Sequence, residues 1–201
     1  MMIDFRLIQL QDFYLRWKEK ADNYGEDDLA DIFDKFTSLY IIYNRLYNTL
    51  EGILRDKDEL KNIPGIRFKN VENKELNDNV AATKLVSFYL EPEAVFIIDN
   101  LTNEINLFKR IIENNIFHFN VNSKLLDNNI NKNDQYIFRD LKSNLPTKQL
   151  FGILTVLYKL RCNLFHGTKG FFNEQREVLL PAISCLKIIN QKLIEKINSE
   201  E

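Results

Sequence analysis

Residues Lys148 to His166 read KQLFGILTVLYKLRCNLFH. At about 100° per residue, Leu150, Ile153, Leu154, Leu157, Leu160 and Leu164 fall in one stripe of a helix. Phe151, Tyr158, Cys162 and Phe165 widen that stripe to roughly half the circumference. A helix this apolar packs against several neighbours or against a second copy of itself. Pro146 and Thr147 introduce it, and Gly167 stops it. Arg161 lies inside the stripe, between Leu157 and Leu164. A buried guanidinium without a partner costs on the order of several kcal/mol, so Arg161 must meet an acid, carbonyls or a cleft open to an anionic ligand. His166 follows at the helix end, about 140° around from Arg161. A regular helix therefore keeps the two apart. They converge if the helix unwinds near Gly167, or if two protomers pair about a two-fold axis across the apolar face.

Working outward, the same periodicity recurs. Residues 4–21 read as a first helix, broken from Asp22 to Gly25. The acidic run Glu26, Asp27, Asp28 opens a second, where negative charge suits the positive end of the helix dipole. Its Phe33, Phe36, Tyr40, Tyr43, Tyr47, Leu50 and Leu54 recur in steps of three and four, and it fades near Lys57. Residues 61–79, with Pro64-Gly65, read as a long connection holding an extended piece from Ile66 to Val71. A third helix is predicted from about Val80 toward Asn115, interrupted at Pro92, which marks a new start. Residues 119–135 read as an Asn-rich loop, 134–143 as a short helix, and Phe117 to Val121 as a further strand candidate. A last helix follows Asn173 to about Asn198, with a kink or a delayed start at Pro181. The expected fold is an all-α helical bundle with additional helices and long loops, one domain over residues 1–201.

The bulk properties set bounds on function. A net charge of -2 excludes a globally basic nucleic-acid binder, so any basic footprint is local. Two cysteines, Cys162 and Cys185, make no disulfide framework and point to a reducing, cytoplasmic setting. With His118 and His166 they match no zinc spacing, so neither metal nor cofactor is expected. The N-terminus lacks the apolar core of a secretory signal, and no run of about 18 apolar residues predicts a membrane span.

The segment Arg161-Cys162-Asn163-Leu164-Phe165-His166-Gly167, continued by Thr168, Lys169 and Arg176, resembles the signature of HEPN domains (higher eukaryotes and prokaryotes nucleotide-binding). That signature is an Arg, a short gap with a polar residue near its start, and a His. A second patch, Tyr40-Ile41-Ile42-Tyr43-Asn44-Arg45-Leu46-Tyr47, is similar to the aromatic, Asn and Leu-Tyr positions of an early helix in many members. The likeness covers about residues 30–55 and 150–195, and residues 60–145 add nothing to it. Cys162 stands where many members have Asn or Asp. Thr168 stands where members controlled by a nucleotidyltransferase partner carry Tyr.

The resemblance implies a HEPN-type bundle and a metal-independent endoribonuclease, with a composite site at a homodimer interface. It also implies a role in bacterial defence, stress or a toxin–antitoxin pair, with an antitoxin or defence-system protein as partner. Arg161 would hold the RNA phosphate and His166 would move protons. Asn163 would orient the phosphate or His166, its alternative being a solvated helix-end Asn. Asn44 needs an internal partner, and linking helices is its expected role beside contact with RNA. Lys169 and Arg176 would collect phosphates, or Arg176 would pair with an acid such as Glu104 or Asp140. The alternatives are a HEPN-like module that binds RNA or nucleotides without cleaving, and a helical interaction protein whose Arg161 and His166 are structural.

Overall fold

The computed structural model describes residues 5–119, 134–165 and 174–199. These residues are predominantly helical, and the sheet they contain is a single two-stranded hairpin. Helix α1 spans Phe5–Asp22 and α2 spans Leu29–Asp56. Asp28 caps α2 by accepting a hydrogen bond from the Ala30 amide at 3.0 Å, and Asp31 adds negative charge to its first turn. The predicted stripe of α2 is buried from Phe36 to Leu54, with Phe33 only half-buried. Ile32, Leu39, Ile42 and Leu46 are buried as well, because neighbours cover the helix on more than one side.

Those neighbours are α1 and α9 (Glu174–Ser199). Asn190 of α9 donates from Nδ2 to the Leu39 carbonyl at 2.9 Å, and Tyr14 of α1 donates to Gln191 Oε1 at 2.7 Å. Helix α9 runs unbroken through the buried Pro181, so the delayed start does not occur. The missing N–H of Pro181 leaves the carbonyl of Glu177 without its helical donor, and Glu177 lies on the exposed side.

After α2 the chain turns at Pro64-Gly65, where Gly65 takes φ 70°, a conformation natural to glycine. The extended piece forms as β1 (Phe68–Asn70), paired antiparallel with β2 (Glu75–Leu76). The buried Glu51 of α2 accepts the Leu76 amide at 2.9 Å and fixes the hairpin to the bundle. Two residues on, α3 (Asp78–Val80) begins directly over α2 and continues as a π turn (Ala81–Leu85) and α4 (Val86–Tyr89). The fully buried Tyr43 hydroxyl donates to the Ala82 carbonyl inside that wide turn.

The helix predicted from Val80 toward Asn115 breaks at Pro92, as expected, and is divided further. A 3-10 turn at Glu91–Glu93 carries Pro92, α5 (Ala94–Asn100) starts just after it, and α6 spans Thr102–Glu113. Phe117 to Phe119 is not a strand; Phe119 is fully buried, and the rest of that candidate and most of the Asn-rich loop lie outside the described residues.

Helix α7 (Asp134–Leu141) leads to α8 (Pro146–Phe165), the helix of the opening segment. Leu150, Ile153, Leu154, Leu157 and Leu160 are all buried, packed by α5, α7, α4, the π turn and α9. Among the described residues, several neighbours of the same chain cover this apolar face. No helix among the described residues is long and apolar enough to cross a membrane.

Candidate functional site

Arg161 sits in the last turns of α8, and about one-third of its side chain is exposed. It meets an acid that the sequence reading passed over. Asp78, the first residue of α3, brings Oδ2 to 3.8 Å from Arg161 Nη1. The hairpin and its Glu51 anchor deliver Asp78 to this place. The Tyr40 ring lies 5.9 Å from the guanidinium carbon, within cation–π reach.

Asp78 also joins Arg161 to the second sequence patch. Tyr47 donates its hydroxyl hydrogen to Asp78 Oδ1 at 2.5 Å, and Asn44 donates from Nδ2 to the Tyr47 oxygen at 2.6 Å. Asn48 in turn donates to the Asn44 carbonyl and Oδ1, each at 2.9 Å. Asn44 and Arg161, distant in sequence, thus belong to one polar network running α2 to α3 to α8. Asn44 itself bonds within α2, to Tyr47 and Asn48, and it is the Tyr47 hydroxyl that crosses to α3.

The electrostatics keep the phenols as donors and the guanidinium charged. Burial pushes the Tyr40 and Tyr47 hydroxyls far above the usual phenol range, and the nearby Asp78 adds to it. Tyr158 is pushed up to about 12, chiefly by burial and then by its neighbour Cys162. For Arg161, burial works against the charge, but Cys162, Tyr40 and Asp78 together outweigh it and raise its pKa. The buried Tyr40 hydroxyl has no hydrogen-bond partner among the described residues.

The other predicted residues separate. Asn163 is buried and donates to the carbonyls of Phe119 at 3.1 Å and His118 at 3.3 Å. Two positions along a helix is about 200°, so it faces away from Arg161. It is not a solvated helix-end residue; it ties α8 to the segment after α6. Arg176 donates to the carbonyls of Asp27 and Glu26, both at 2.7 Å, and so ties the start of α9 to the loop before α2. Its partners are backbone carbonyls rather than Glu104 or Asp140. His166 and Lys169 lie outside the described residues, so the predicted meeting of Arg161 with His166 lies there too.

Sequence reasoning missed Asp78 and Tyr47 as partners. The signal for Asp78 was an acid in a helix's first turn, coupled to a cation in a core stripe that required an acid. No group of three or more His, Cys, Asp or Glu among the described residues is placed to hold a metal ion. No family model, curated protein or solved structure matches this chain.

Proposed function

We propose that this chain is a metal-independent endoribonuclease of HEPN type, using Arg161 and His166 at a homodimer interface. The observation that carries this reading is the partly exposed Arg161 in the last turns of α8, coupled through Asp78 and Tyr47 to Asn44. The two patches on which the resemblance rests thereby share one network. The chemistry asks little of the protein. An RNA 2′-OH attacks its adjacent phosphate, the 5′-oxygen of the next nucleotide leaves, and a 2′,3′-cyclic phosphate results. One group must take the proton of the 2′-OH and another must supply one to the leaving oxygen. A single His166 per chain supplies one such group, and a two-fold dimer supplies two. Arg161 stabilises the added negative charge on the phosphate. A phosphate hydrogen-bonded to the guanidinium would lie closer to it than Asp78 does at 3.8 Å.

The Asp78 contact itself favours a second reading, in which Arg161 is structural and the chain is a non-catalytic binding or interaction module. A cleavage assay in EDTA separates the two. The nuclease reading expects a cyclic-phosphate product, lost by at least about 10²-fold in Arg161→Ala and His166→Ala while thermal stability stays near wild type. Binding without turnover, or substitutions that lower stability and leave RNA untouched, defeats it. Sedimentation of a monomer at micromolar concentration defeats the shared site.

A further inference from the structure

A second site candidate lies on the far side of α2. Tyr40 faces the Arg161 network, and Ile42 is about 160° around the helix from it. There α1, α2, α5 and α9 leave a cleft of about 460 Å³, within the size range of small-molecule pockets. Leu39 and Ile42 are buried at its floor, and Phe96 forms a wall while remaining 51% exposed. Around these apolar groups stand Lys18, Lys187 and Lys192, against Asp22 as the acid among the lining residues.

The lysines differ in how they are held. Lys18 pairs with Asp22 at 2.8 Å. Lys192 reaches Glu195 at 3.1 Å and lies over the Phe96 ring at 4.4 Å. Lys187 is 3.7 Å from Glu26, whose same oxygen already takes a shorter hydrogen bond from Lys35 at 2.8 Å. Lys187, 45% exposed, is the rim cation with the most charge left to offer.

We propose that this cleft binds a small amphiphilic carboxylic acid, its apolar body against Leu39, Ile42 and Phe96 and its carboxylate at Lys187 and Lys192. Among the lining residues three lysines stand against one acid over an apolar floor, which suits an amphiphilic anion better than a cation. The site is independent of the nuclease reading, since α2 separates it from Arg161.

The test uses the full chain and the fluorescent aromatic anion 8-anilinonaphthalene-1-sulfonate. Its emission should rise and saturate as at one site. Decanoate should displace it at least about tenfold better than decanol, because the two differ in charge rather than apolar length. Lys187→Glu with Lys192→Glu should weaken probe binding by at least about tenfold with the melting temperature unchanged. Should that pair fail to fold, Lys187→Gln alone should weaken binding several-fold and Phe96→Ala should do likewise. Arg161→Ala should bind as wild type. No saturable binding by the folded protein, equal displacement by decanol and decanoate, or undiminished binding by the folded lysine variants overturns the proposal.

Discussion

At the scale of single residues, the network from Asn44 to Arg161 depends on one hydroxyl. Tyr47 both accepts from Asn44 and donates to Asp78, from a side chain that is otherwise fully buried. Tyr47→Phe keeps the ring and its packing but leaves Asn44 and Asp78 each short of a partner. Water can reach Asp78, whose side chain is 44% exposed, and this limits the loss. The expected cost is about 1–2 kcal/mol, read from urea unfolding. Asp78→Asn keeps an oxygen for Tyr47 and removes only the charge opposite Arg161, a partly exposed pair worth about 0.5–1 kcal/mol. The two substitutions share a partner, so their effects should not add; additivity within error would mean that the hydroxyl and the carboxyl do not interact. The guanidinium was recognisable in the sequence because a cation in an apolar stripe is a local contradiction. Its acid was not, since Asp78 reaches it only through the hairpin that Glu51 pins to α2.

At the scale of elements, α2 and α8 were legible because long helices that leave a stripe out of the core write their period into the sequence. The stretch from Asp78 to Glu113 was legible as helical with a break at Pro92, but its further divisions were not. A π turn at Ala81–Leu85 and a 3-10 turn at Glu91–Glu93 each change the residues per turn, so the apolar pattern drifts off a single face. Helix contact adds a constraint that composition hides. Gly152 of α8 lies where a Cβ would come 3.1 Å from a Leu141 methyl carbon and 3.2 Å from the Leu141 backbone nitrogen. The side chain can move aside, but the backbone at the end of α7 cannot do so cheaply. In an isolated helix Gly152→Ala would stabilise by about 1 kcal/mol. Here overpacking of about 1–3 kcal/mol opposes it. The expected outcome is a melting temperature at or below that of wild type; a clear rise would mean that α7 and α8 are less tightly apposed.

At the scale of the whole molecule, an aromatic seam along α2 ties stability to pH. Tyr40, Tyr43 and Tyr47 stack edge-on at ring separations of 5.6 and 5.3 Å, and burial raises the phenol pKa of all three. The neutral form is therefore favoured in the folded chain. Below about pH 10, the ordinary phenol value, folded and unfolded states both keep these protons, and this contribution to stability is fully present. Above it the unfolded chain ionises and the folded chain does not, so unfolding gains with every further rise in pH. Alkali should then unfold the protein cooperatively. The near-ultraviolet signal of the buried phenolates should appear together with the loss of helical circular dichroism. Smooth ionisation of every tyrosine at an ordinary pKa with the helices intact would mean that the seam is open to water. The Tyr47 hydroxyl holds Asp78 and the Tyr40 ring lies beside Arg161, so an open seam would also remove the scaffold on which the guanidinium is presented.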